Sequence, residues 1–84
     1  MDAGWGKFAQ LCQEEFGRCS FQAELVRACG GQQDIAWVAY FHLRDDAVHW
    51  LHRSVPALSG KTPASLIDEG GGDEVRHCLW SMPC

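Results

Sequence analysis

The sequence predicts an all-α fold, a compact bundle of five or six short helices. Apolar residues recur three and four positions apart in successive segments. Glycine, proline and N-capping residues interrupt the pattern where such helices would end or begin. No Asn-Gly or Asp-Gly hairpin signal occurs in the 84 residues.

Trp5, Phe8, Ala9, Cys12 and Phe16 lay one apolar stripe along a first helix that Gly17 can end. Ser20 can cap a second helix, with Phe21, Leu25, Val26 and Cys29 on one side, until Gly30-Gly31 stops it. Asp34 is the next cap candidate. The run Ile35 to Phe41 is apolar nearly all round, as in a helix buried by its neighbours. A buried strand competes for so short a run, but Leu43, Ala47, Trp50, Leu51 and Ser54 continue a helical phase. Asp45-Asp46 can start a new helix, giving a bend near Arg44, and Pro56 closes the segment. Thr62-Pro63 then supplies an N-cap and a first helical residue whose missing N–H costs nothing. Leu66 and Ile67 form that helix's apolar side. Gly70-Gly71-Gly72 breaks the chain, Asp73 can cap, and Val75, Cys78 and Leu79 mark a last helix limited by Pro83.

A chain of this length has room for one domain, with residues 1–39 completing the core and residues 40–84 forming the module described below. With 46% hydrophobic and 21% charged residues it is too apolar for intrinsic disorder. Four Trp, four Phe and one Tyr are a heavy aromatic load, which self-association would help to bury, so a homo-oligomer, at least a homodimer, is expected. A net charge of -4, with seven scattered basic residues, leaves no footprint for a phosphate backbone and argues against DNA binding. The longest apolar run falls far short of the roughly 20 residues that span a bilayer, and the N-terminus lacks the basic start and apolar stretch of a signal peptide. A cytoplasmic protein without membrane association is expected. Five cysteines without a C-x-x-C pair then read as reduced thiols. Cys12, Cys29 and Cys78 fall at buried helical positions, and Cys84 is terminal and exposed.

In the second half, several pieces stand in one order: Tyr40-Phe41; Ala47 three residues before Trp50-Leu51; Pro56 and Leu58; Gly60-Lys61-Thr62-Pro63; Leu66-Ile67; and Val75 four residues before Leu79. Order and spacing resemble the toxin-binding domain of Xre/MbcA/ParS-type bacterial antitoxins. The resemblance implies that Ala47, Trp50, Leu51, Pro56, Leu58, Gly60, Thr62, Pro63, Leu66 and Val75 build the module. It also implies a cognate toxin as partner, one that degrades NAD or transfers ADP-ribose from it, as RES-type toxins and ADP-ribosyltransferases do. Such an antitoxin neutralises by covering the toxin's cofactor cleft. Contact candidates are then Arg76, Trp80, Ser81, Met82, Pro83 and Cys84. The family's last helix usually ends in a glycine, where this chain runs Trp80-Ser81-Met82-Pro83-Cys84. Many members also carry a helix-turn-helix ahead of the domain, whereas residues 1–39 hold only Lys7, Arg18 and Arg27 as cations.

Enzyme readings are weaker. His49 and His52 share a helical face and His77 adjoins Cys78, spacings that metal sites use, but no further ligand completes a set in sequence. Solvated histidines account for the same pattern. The carboxylate pairs Glu14-Glu15, Asp45-Asp46, Asp68-Glu69 and Asp73-Glu74 are adjacent and point to different sides of a helix, which suits capping and solvation better than acid/base work. The triple glycine lacks the lysine and hydroxyl of a P-loop. No catalytic residue, metal or cofactor is expected. Trp50 reads as core and Trp80 as interface. A stand-alone interaction or self-association module without a toxin is the alternative.

Overall fold

The computed structural model describes residues 3–82; Pro83 and Cys84, with the expected roles of Pro83 as helix limit and Cys84 as exposed thiol, lie outside them. Among the described residues there are six α-helices and no strand: α1 Ala3–Phe16, α2 Gln22–Ala28, α3 Gln33–Leu43, α4 Ala47–Leu51, α5 Pro63–Asp68 and α6 Gly72–Trp80. Two 3-10 turns, Arg44–Asp46 and Pro56–Leu58, interrupt the series.

The apolar run settles as α3, the helix around which the others gather. Ile35, Ala36, Val38 and Ala39 are fully buried and Tyr40 nearly so. The small side chains on α3 allow α1 to lie close along it, the most extensive helix pairing in the molecule. From α1 the stripe Trp5, Ala9, Cys12 and Phe16 faces inward, as its spacing requires. Leu25 of α2, Trp50 and Leu51 of α4, Leu66 and Ile67 of α5, and Val75 and Leu79 of α6 close the same core.

The helical phase does not run straight through Arg44. That residue adopts φ 52° and ψ -123°, so the chain turns there and α4 starts afresh at Ala47. A positive φ at arginine is strained. Two contacts hold it: Nη1 lies 2.9 Å from Glu15 of α1, and the guanidinium sits 5.5 Å from the Tyr40 ring centre.

Helix boundaries follow the punctuation with four corrections. Ser20 does not cap α2, whose N-cap is Phe21, with no side-chain bond. Asp34 does not cap α3, which starts after Gln32; its carboxylate is taken up by Trp5 and Arg76 instead. Asp73 does not cap α6 either; Gly71 holds that position and Asp73 pairs with Arg76. For Asp34 the longer-range partners hold the carboxylate, whereas Asp73 lies inside α6, past the cap position. α4 also stops at Leu51, ahead of Pro56, which opens the second 3-10 turn.

Thr62 does cap: its Oγ1 accepts the Ser65 N–H at 3.2 Å, with Pro63 at the first helical position. The turn before it is closed by the Val55 N–H to the Lys61 carbonyl and the Gly60 N–H to the Val55 carbonyl, each 3.1 Å. Glycine is required at residue 30, where φ is +64° and a Cβ would stand 2.9 Å from Ile67 Cγ2, so the turn after α2 meets α5 through its bare backbone.

Candidate functional site

α6 and the residues after it carry the contact candidates, and the helix sorts them onto different sides. Val75 and Leu79 point into the core. Arg76 points to the start of α3, Trp80 to α1, and Ser81 and Met82 to a groove on the remaining side.

Arg76 is mostly covered, with 17% of its side chain exposed. Its Nε donates to Asp34 Oδ2 at 2.8 Å, Nη1 donates to Asp73 Oδ1 at 2.9 Å, and Nη2 donates to Gln32 Oε1. Asp34 Oδ2 also accepts the Trp5 indole N–H at 2.9 Å. One carboxylate therefore joins α1, α3 and α6. Burial alone would raise the Asp34 pKa, but the hydrogen bonds from Arg76 and Trp5, the Arg76 charge and the Ile35 N–H outweigh it and hold the group below its ordinary value. Gly72 is the residue that lets this clamp close: a Cβ there would lie 3.1 to 3.3 Å from Gln32 and Arg76 side-chain atoms.

Trp80 rests on an aromatic corner, its ring 5.3 Å from Phe8 and 6.4 Å from Trp5, centre to centre, and stays 42% exposed. Phe8 in turn meets Phe41 edge-on at 5.7 Å and His42 at 5.9 Å. Burial lowers the His42 pKa, only partly opposed by its bond to the Leu79 backbone, and the ring's Nε2 is buried with no partner among the described residues. A folded-state pKa below the unfolded one favours the neutral ring, so this contribution is present above about pH 6.5 and is lost as pH falls through the folded value. Thermal melts between about pH 7.5 and pH 5 should show Tm falling with acidity, and His42→Gln should flatten that slope.

The groove has a volume of about 810 Å³ and runs between the Pro56–Leu58 turn and α6. Val55, Ala57 and Leu58 form one wall; His77, Cys78, Ser81 and Met82 form the other, with Asp73 and Glu74 at one end. Cys78 is pushed above the usual thiol range by burial, and Cys29, in the core, is raised to about 12 by burial with Asp34 adding. Such thiols stay protonated near neutral pH, unlike an activated nucleophile.

The module residues sit mainly inside. Ala47, Trp50, Leu51, Leu58, Pro63, Leu66 and Val75 are buried, Thr62 is half-buried, and Pro56 and Gly60 shape the exposed turn. His49 approaches Asp46 at 3.3 Å on the surface, and no group of three or more potential metal ligands forms among the described residues. Sequence reasoning did not single out Asp34 and Trp5 as the anchor of Arg76, nor Val55, Ala57 and Cys78 as groove walls. The nearest signal was the Val55-to-Leu58 segment itself, whose facing surface only the packing of α6 defines.

Residues 30–82, from the glycine pair through α3 to the end of α6, match the family model described as the antitoxin Xre/MbcA/ParS C-terminal toxin-binding domain. No match to a curated protein or to a solved structure accompanies it.

Proposed function

Because the chain belongs to the family of Xre/MbcA/ParS antitoxin toxin-binding domains, we propose that it neutralises an NAD-consuming toxin, of the RES or ADP-ribosyltransferase type, by covering the toxin's cofactor cleft. The family match across α3 to α6 carries this reading. Trp80 and Ser81, both exposed, and the half-buried Met82 are the direct contacts, continued by Pro83 and Cys84. Arg76 acts by positioning, since its donors are already engaged with Asp34, Asp73 and Gln32. Residues 1–39 complete the core of one domain, a role supported by the packing of α1 on α3. No catalytic group, metal or cofactor takes part.

The protein acts in the bacterial cytoplasm as a homodimer that leaves DNA unbound. No helix among the described residues is long and apolar enough to cross a membrane. Leu11, 71% exposed, offers apolar surface for the second copy.

Co-expression with an NAD-acting toxin, sought in the neighbouring reading frames, tests the reading. Growth should collapse with the toxin alone and recover with this chain. NAD should be depleted or ADP-ribose transferred in the first case only. Trp80→Ala, or deletion of residues 81–84, should weaken rescue at least tenfold in the inducer needed, as loss of an aromatic hot spot does. Failure of the wild-type chain to rescue would leave only a stand-alone self-association module. Rescue by both variants would remove the contact assignment and leave the function.

A further inference from the structure

The groove beside α6 is apolar and one-sidedly charged, and no described residue covers it. Leu58 is buried at its base, and Val55, Cys78 and Met82 are half-buried along it. At about 810 Å³ it has the size of clefts that bury peptide side chains or small ligands, roughly 300–1,000 Å³. No lysine or arginine lines it. Asp73 and Glu74 stand at its end, and they differ: Asp73 is paired with Arg76 at 2.9 Å, whereas the exposed Glu74 side chain has no ion pair among the described residues. Acidic residues in the first turn of α6 favour the helix dipole. That role does not require an apolar floor next to them. An apolar trough ending in a free carboxylate is complementary to an apolar side chain followed by a cation.

We propose that this groove receives a short segment of the toxin bearing a large apolar side chain and an adjacent lysine or arginine, the first seated on Val55, Leu58, Cys78 and Met82 and the second beside Glu74. The proposal rests on the toxin-binding reading and adds a second anchor to it. The tail then reaches the cofactor cleft while the groove holds a neighbouring surface element of the toxin. Trp80, on the other side of α6, is not part of it.

Two variants isolate the groove. Ala57→Arg fills and charges its exposed lip, and Glu74→Lys reverses its acidic end; neither residue belongs to the core. Far-UV circular dichroism should match wild type in both; Tm should match in Ala57→Arg and fall by a few degrees in Glu74→Lys, which reverses a charge at the N-terminus of α6. Each variant should weaken the calorimetric Kd for the co-expressed toxin about tenfold or more. A second measurement needs no toxin: two 15-residue amphipathic peptides with the same leucines and either lysine or glutamate on the polar face. Amide shifts at Ala57, Glu74, Cys78 and Met82 should move with the lysine peptide, should not move with the glutamate peptide, and should vanish in Ala57→Arg. Wild-type toxin affinity in both variants would overturn the groove as an anchor and leave the antitoxin function intact. Loss in Ala57→Arg with none in Glu74→Lys would overturn the basic segment as occupant. A wild-type chain that does not bind the toxin would remove the toxin as occupant, and equal shifts with both peptides would remove the charge requirement.

Discussion

Trp50→Ala is expected to lower the free energy of unfolding by about 3–5 kcal/mol, the usual cost of emptying a large aromatic site in a core. Trp50 is 4% exposed and sits on α4, a helix of five residues. So short a helix has no stability of its own, because nucleation costs more than its few hydrogen bonds return. It exists because Ala47, Trp50 and Leu51 bind it to α2, α3 and α5. A domain of this length has a total stability of about 4–12 kcal/mol, so the loss is a large fraction of the whole. Urea unfolding followed by tryptophan fluorescence and circular dichroism would measure it, with Tm falling by about 20 °C. Trp50→Phe, which keeps most of the volume, should cost about 1–2 kcal/mol. Equal effects of the two substitutions would mean that α4 is not held through this ring.

Arg76→Ala is expected to cost about 2 kcal/mol, in the range of hydrogen bonds to charged groups. The figure stays below that of a fully buried pair because Asp34 keeps 31% of its side chain exposed. The loss has a pH signature. Asp34 is held below its ordinary pKa in the fold, so its stabilisation is present above the unfolded value, about 3.9, and disappears as pH falls through the folded one. Wild type should therefore lose stability steeply below about pH 4, and Arg76→Ala should lose less over the same interval. Arg76→Lys should recover little, since one ammonium cannot reproduce the fork that spans Asp34, Asp73 and Gln32. A double-mutant cycle with Asp34→Asn should show coupling. Strict additivity would remove the clamp from the account. The proposed toxin contact at Trp80 should feel this loss too, because α6 carries that residue.

The helices were legible because their signals are local. Apolar spacing marks α1, α3 and α6, and Thr62-Pro63 marks the start of α5 through a bond that spans only three residues. The bend near Arg44 was legible as an option, from Asp45-Asp46. What closes it, Glu15 on α1 and the Tyr40 ring, is tertiary. Ser20, Asp34 and Asp73 show the reverse case. Each has a side chain that favours capping, and the structure places none of them as a cap. For Asp34 the deciding partner is Arg76, 42 residues away; Asp73 lies inside α6, which starts one residue earlier, and pairs with the same arginine three residues on.

The candidate site divides along the same line. Order and spacing from Ala47 to Leu79 sufficed to identify the toxin-binding family, because those residues serve turns, caps and core positions that spacing alone dictates. By itself, then, the sequence determined the all-α class, the positions of the main helices and the family. The three-way division of α6 was decided by the tertiary structure. Which of Arg76, Trp80 and Met82 is clamped, shelved or open depends on where α1, α3 and the Pro56–Leu58 turn lie around that helix, and no periodicity along one segment encodes the identity of its neighbours.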